Sequence, residues 1–378
     1  MEILAKNGSL FGVLAVVFGL MGCAGNGQVP PAPFGMGPQT HRIANFHSRI
    51  NPMRTDDLLY VAEKDIGAVY IYSWPQGKLV SEITGLLQPE GICADKAQNV
   101  YVVDSKATEI YEFTPDGSGP IKTWVDPSGY PWACAIDPAT GTLAVSNAYD
   151  FGGSKSNAGG LLFWIDGSGT PVEYKYIGVS GLYWMGYDTS SRLLLEGTGV
   201  GSPPYFFLGE VLSQKPSELY ELYFPPSVPF KCESGIQWDG KYMTVGGCSA
   251  IYQVTVSRGR YPKLEIVGTT NLSGVGSYSS DYYIPHHNSQ GSKAVVTYTA
   301  LGSVYQCPTA YFLYPAGGAA TKLIPNYCDA DPEGVVVVKA ERSEGLAPPP
   351  KRPATARSSL PLVPMTGQTR SIKTESFK

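Results

Sequence analysis

PEGICADKAQNVYVVD, residues 89–104, runs as a turn, a short apolar strand, an aspartate, a second turn and a second apolar strand. The plan recurs as PWACAIDPATGTLAVSN at 131–147, LYWMGYDTSSRLLLEG at 182–197 and SGIQWDGKYMTVGG at 234–247. Asp95, Asp137, Asp188 and Asp239 hold the same place in each copy, at spacings of 42, 51 and 51 residues. Repeats of that length, built from strands, are those of propeller blades rather than of helical solenoids.

In each copy strand A carries the aspartate and strand B follows it, as in VYVVD, TLAVSN, RLLLEG and YMTVGG. The next apolar run is strand C: IYEFTPDG from Ile110, LLFWIDGSG from Leu161, ELYELYFPP from Glu218 and AIYQVTV from Ala250. A degenerate sixth copy starts at Tyr282, with Asn288 in the aspartate position and YQCPTAYFLYP as its C strand. The stretch Leu58–Gly85 supplies B, C and D strands without an A strand, and PEGVVVV at 332–338 is an A strand with nothing after it. Joined, they complete one blade from both ends of the chain, which closes the ring and removes free sheet edges. The expected fold is all-β: a six-bladed β-propeller with blades of about 47 residues. A pair of β-sandwiches or a seven-bladed ring is the structural alternative.

Composition agrees with many short strands and tight turns: 378 residues are 43% hydrophobic and 16% charged, with 44 Gly, 31 Pro and 25 Tyr. The formal charge of −4 argues against a nucleic-acid partner, whose footprint is a basic face. An apolar run from Leu10 to Leu20 ends just before Cys23 and has the length of an export signal, too short to span a bilayer. The expected organisation is a signal at 1–22, a Gly/Pro-rich tether at 23–56, the propeller at 57–340 and a Pro-rich basic tail at 341–378. The tail has seven basic against three acidic side chains, a net of +4.

Leu20, Met21, Gly22 and Cys23 resemble the lipobox of bacterial lipoproteins. The resemblance implies cleavage before Cys23, lipid on its thiol, and a protein held on a membrane of the bacterial envelope, periplasmic or outer; the protein is expected to be a monomer.

Six further cysteines remain, an even number as expected of an exported chain. Cys307 and Cys328 are equidistant from the Gly317–Gly318 turn signal, and Cys232 and Cys248 from Gly240, so each pair is expected to meet across a hairpin. Cys93 and Cys134 lie two and three residues before their aspartates on neighbouring inner strands, and this difference in parity turns each toward the other's blade. The expected disulfides are therefore Cys93–Cys134, Cys232–Cys248 and Cys307–Cys328.

The chain has no Gly-x-Ser-x-Gly elbow, Walker loop, His-Glu-x-x-His or Cys-x-x-Cys. Gly197, Gly199 and Gly201 precede Pro203 and Pro204, where a phosphate loop would need a helix, so they read as a wide loop. His286 and His287 would point to opposite sides of a strand, which suits a surface role better than a metal pair. The remaining candidate is the channel mouth, where residues just before each strand A should gather: Glu90, Trp132, Tyr183, Glu233, Tyr283 and Glu333, with Asp329 and Asp331 nearby. Aromatic faces beside acceptor groups suit a protein segment, a glycan or a small ligand, while Trp184 is expected to pack between blades.

The repeated P-x-G/A, strand, Asp, turn, strand pattern over Leu58–Val338 resembles the NHL-type six-bladed propellers, especially exported bacterial members. That resemblance implies a binding or scaffolding module. Propellers related to gluconolactonases and paraoxonases hold a channel calcium ion that polarises a lactone or ester carbonyl, which sets out a second reading. Under it Ca²⁺ would be the cofactor, with Glu90, Glu333, Asp329 and Asp331 as its candidate ligands. A structural envelope protein is a third reading.

Overall fold

The computed structural model describes residues 56–339, apart from 128, 151–158, 165–169, 177, 201–204, 213–214, 225–229, 231, 233, 259–261, 275–277, 285–291, 300–308 and 325–331. The described residues contain strands and turns and no helix long and apolar enough to cross a membrane.

Six sheets, antiparallel but for one short parallel pairing, form a six-bladed propeller. Blade one is built from β1 (Asp57–Glu63), β2 (Ala68–Trp74) and β3 (Leu79–Thr84); blade two from β4 (Pro89–Ala94), β5 (Val100–Asp104), β6 (Glu109–Phe113) and β7 (Lys122–Val125). Blade three comprises β8 (Gly129–Ile136), β9 (Leu143–Asp150), β10 (Gly159–Trp164) and β11 (Val172–Tyr176). Blade four comprises β12 (Val179–Tyr187), β13 (Arg192–Gly199), β14 (Tyr205–Leu212) and β15 (Lys215–Glu221). Blade five has β16 (Ile236–Trp238), β17 (Met243–Gly246), β18 (Ala250–Val256) and β19 (Leu264–Ser273), with β23 (Gly318–Ala319) added at its outer edge; blade six has β20 (Tyr278–Tyr283), β21 (Ser292–Thr299), β22 (Thr309–Tyr314) and β24 (Lys322–Ile324). The last strand, β25 (Pro332–Val338), pairs with β1, so both ends of the chain complete blade one as expected.

The inner strands of the blades, such as β1, β2 and β5, read as near-continuous apolar runs because both their faces are buried, whereas outer strands such as β3 and β7 are largely exposed. In β1, Leu58, Tyr60 and Ala62 pack toward blade two with Ile92, Val102 and Phe113, while Leu59 and Val61 pack toward blade six with Val295, Tyr311 and Ile324. Side-chain alternation thus divides each strand between two interblade cores.

The repeated aspartates are turn formers. Asp95 Oδ1 accepts from Asn99 N at 2.8 Å, Asp137 Oδ1 from Ala139 N at 2.9 Å, and Asp188 Oδ1 from Arg192 N at 2.9 Å. Some also join blades: Ser191 Oγ donates to Asp137 at 2.7 Å, and Tyr314 OH to Asp239 at 2.6 Å. At the opposite end of the inner strands, hydroxyls on strand B donate to the next blade's strand A, as Ser146 does to Tyr183 O at 2.6 Å and Thr297 to Glu333 O at 3.0 Å. The glycine of the P-x-G signal marks another interblade approach. A Cβ added to Gly91 would lie 2.6 Å from Ala133 Cα, and one on Gly334 would strike Glu90 O.

Two strand assignments are corrected. In blade four, strand C is YFFLGEVL in β14 and not the run from Glu218, which forms strand D; an interior Gly209, filled around by Phe207 and Leu219, had masked it. In blade six, strand A is β20, which begins four residues before the sixth copy read from Tyr282, and Asn288 lies outside the described residues. The hairpin of blade six also departs from symmetry about Gly317 and Gly318. Gly318 and Ala319 pair in parallel with Leu272 and Ser273 of blade five, and Thr309 stands opposite Ile324. Cys93–Cys134 and Cys232–Cys248 are disulfides, with Cα atoms 5.7 and 5.1 Å apart. Cys307 and Cys328 lie outside the described residues, as do Cys23 and the expected signal, tether and tail apart from Asp56.

Candidate functional site

Strand A of every blade has a partner on one side only, so the six inner edges face the axis with backbone groups outside any ladder. Between them lies a cavity of about 1020 Å³. Its walls include Ile92, Ala133, Trp184, Trp238, Tyr283 and Val336, and at one end it reaches the turns that carry Asp95, Asp137 and Asp188. Trp184, expected between blades, is buried there at 5% exposure and also contributes to the cavity wall.

The expected mouth residues sit at the other end of the inner strands. The two P-E-G copies, far apart in sequence, become neighbours because β25 and β4 lie side by side. One ammonium joins them: Lys64 Nζ, in the turn after β1, is 3.4 Å from Glu90 Oε1 and 3.3 Å from Glu333 Oε1. Glu90 is wholly buried, and its Oε1 also accepts from Gln88 Nε2 at 2.8 Å. The same Lys64 Nζ stands 5.0 Å from the centre of the Trp132 ring, placing a cation on an aromatic face. Trp132 in turn meets Tyr183 edge to face, with ring centres 5.3 Å apart. Glu90, Trp132, Tyr183 and Glu333 are therefore brought together as a tier beyond the cavity wall, organised by a lysine.

Tyr283 does not join that tier. It is the last residue of β20, at the far end of its strand, and burial pushes its hydroxyl up to about 12. Blade six presents Asp281 at the cavity wall, a buried residue whose Oδ2 accepts from Val335 N of β25 at 3.0 Å. Loss of water around this carboxyl outweighs its backbone hydrogen bonds and raises its pKa to about 8. Glu233, Asp329 and Asp331 lie outside the described residues.

Among the described residues no group of three or more His, Cys, Asp or Glu side chains is placed to hold a metal ion. The Glu90 and Glu333 pair does not suit calcium as it stands, because Lys64 lies between their carboxylates with its own positive charge. Lys64 and Asp281 were both missed in the sequence. Lys64 follows Glu63 at a strand end, where an acidic–basic pair ordinarily reads as solvated; the nearest available signal was the duplicated P-E-G, which calls for a shared counter-charge once the ring closes.

No known protein family and no curated protein matches this sequence. Solved structures do match its fold. A chain from a nidogen/laminin complex aligns with TM-score 0.54 at 9% identity, covering 74% of this chain and 98% of that one. A protein of unknown function from Bacteroides caccae aligns with TM-score 0.54 at 13% identity, covering 75% and 99%. A functionally unknown protein from Desulfotomaculum acetoxidans aligns with TM-score 0.50 at 9% identity, covering 75% and 100%. At such identities the likeness extends to the fold alone.

Proposed function

We propose that this chain is a binding module: an NHL-like propeller, exported and anchored through lipid on Cys23, that takes a small ligand or a segment of an envelope protein or glycan in its axial channel. The observation that carries the reading is the cavity of about 1020 Å³ walled by Trp184, Trp238 and Tyr283, a volume in the upper range of ligand pockets. Backbone groups of the inner edges add hydrogen-bonding capacity to a wall that mixes aromatic faces with Asp95, Asp137, Asp188, Gln237 and Asp281. The ligand reaches the cavity from the face of the aspartate turns, where the lining extends to Asp95, Asp137 and Asp188.

Intrinsic fluorescence tests the binding role, because two tryptophans line the cavity. Envelope glycan fragments and peptides are titrated into the purified full-length protein and into Ala97→Trp, which narrows the opening at an exposed turn. A saturable change that Ala97→Trp weakens at least tenfold supports the reading. Equal responses from both proteins, or none from either, would sink it. Anchoring is tested separately with a labelled lipid precursor: label that survives Cys23→Ala, or no label at all, removes the lipoprotein assignment.

A further inference from the structure

Resting on the channel as the binding site, we infer that Asp281 sets the charge of its ligand: the cavity takes a small molecule bearing an ammonium group, held between this carboxylate and the aromatic rings of the wall. The carboxyl stands on the inner strand of blade six and reaches both neighbouring blades. Its Oδ2 accepts from Val335 N of β25 at 3.0 Å, and a Cβ on Gly235, just before β16 of blade five, would strike its Oδ1. Asp281 is thus part of the cavity wall itself, at 7% exposure, whereas Asp95, Asp137 and Asp188 belong to the turns at one end. The N–H groups of Val335 and Tyr282 use two of the roughly four acceptor positions of a carboxylate, which leaves capacity for a donor in the cavity.

Charge and aromatic surface agree on the class of that donor. Among the described residues the lining carries four aspartates and one basic side chain, Lys96, which is exposed on the turn after β4. Arg192 answers Asp188 at 2.8 Å, but no basic side chain of the lining stands on an inner strand to answer Asp281. Trp184, Trp238 and Tyr283 offer π faces in the same cavity, the surface on which a protonated or quaternary amine is held. An anion would meet only like charge there. Burial raises the pKa of Asp281 to about 8, and a cation beside it favours the carboxylate form, so binding below that pH displaces a proton. The other titratable groups on strands packed against Asp281 are Tyr282 and Tyr283 of β20, Glu333 of β25, and Lys293 and Tyr298 of β21; β16 and β17 carry none. Glu333 is paired with Lys64 at 3.3 Å, burial keeps both β20 tyrosines protonated, and Lys293 lies toward the opposite end of β21 from Thr297, the partner of Asp281. Glu196 of β13 acts on Tyr282 from blade four while its carboxylate accepts from Ser234 N.

The test titrates three probes into the full-length protein and follows tryptophan fluorescence: benzyltrimethylammonium, whose charge is fixed at every pH, neutral benzyl alcohol and anionic benzenesulfonate. The cation should bind saturably and at least about tenfold more tightly than either of the others. Its affinity should rise with pH, by up to about tenfold per unit, and level off above about pH 8, with a proton released on binding at neutral pH. Asp281→Asn keeps an acceptor for Val335 N and removes the charge; it should bind the cation at least about tenfold more weakly above pH 8, lose the pH dependence and take benzyl alcohol as wild type does. A carboxyl that only braces the inner strands would move none of these readouts. Should Asp281→Asn fail to fold, the pH series on wild type decides. The inference is overturned if the three probes bind alike or none binds, if the cation's affinity is flat with pH, or if a folded Asp281→Asn binds the cation as wild type does. Equal binding of all three leaves the channel a binding site without charge selection, and the glycan and peptide titrations judge that broader reading independently.

Discussion

A chain that stops at Asp331 lacks β25, whereas one that stops at Lys339 keeps it; comparing the two measures what the closing strand contributes. Val335, Val336, Val337 and Val338 are 3%, 6%, 5% and 1% exposed, so the shorter chain forfeits four buried valines. At about 2 kcal/mol for each such side chain the direct loss is roughly 8 kcal/mol. The truncation also strips β1 of its inner partner, exposing the edge that held Leu58 against Val338 and Val61 against Val335. A domain's whole stability is about 5–15 kcal/mol. The chain ending at Asp331 should therefore lose its cooperative melt and run as an expanded or associated species by size exclusion. The chain ending at Lys339 should melt as the full-length protein does. A synthetic peptide covering 332–339, added in excess, should recover part of the transition. The reasoning fails if the shorter chain melts cooperatively within a few degrees of the longer one and remains monomeric, since β25 would then contribute only a small fraction of its calculated share.

Other perturbations follow from the same contacts. Gly91→Ala places a methyl where Ala133 Cα lies 2.6 Å away, so it should lower stability by about 1–3 kcal/mol in a denaturant titration; an unchanged midpoint would refute the close interblade approach. Opening Cys93–Cys134 by a double serine substitution should cost about 4 kcal/mol, and opening Cys232–Cys248 about 3 kcal/mol, because the bonds close segments separated by 41 and 16 residues; the reverse order would count against a chain-entropy origin. Asp281 is an acid whose pKa folding raises to about 8, so the native state holds its proton longer than the unfolded chain does. Its contribution is full below the ordinary carboxylate range and is lost as pH rises toward about 8, at up to about 1.4 kcal/mol per pH unit. Asp281→Asn should flatten that slope in melts taken across the range, and an unaltered slope would place the pH dependence elsewhere.

The ring was legible because its repeated aspartate has a local duty. Asp95, Asp137 and Asp188 each accept a backbone N–H of the following turn, so the residue recurs wherever that turn does. Glycine in P-E-G was equally informative, since the nearness of the next blade excludes a side chain. Legibility stopped where tertiary packing overrode local pattern. YSSDYY is an inner strand although it carries Asp281, whose backbone N donates to the Thr297 hydroxyl, whose backbone O accepts from it, and whose carboxylate accepts from Val335 N. Glu90 and Glu333 were found through their place before strand A. The lysine between them was not, because the proximity of two residues from opposite ends of a chain exists only after closure.

The seam of blade one has a mechanical consequence. Five blades are continuous through their hairpins, but β1 and β25 are held by ladder bonds and side chains alone, and their outermost rung joins Leu58 to Val338. Lys339 N is caught just beyond it by Gln98 Oε1 at 2.8 Å. A load applied between Asp57 and Lys339 therefore acts across the rungs and not along them, so the strands part like a zipper, one pair at a time, beginning at Leu58. The stable ring is thus weakest toward tension on its own two ends, and a pull on this protein would open blade one long before it strained the other five.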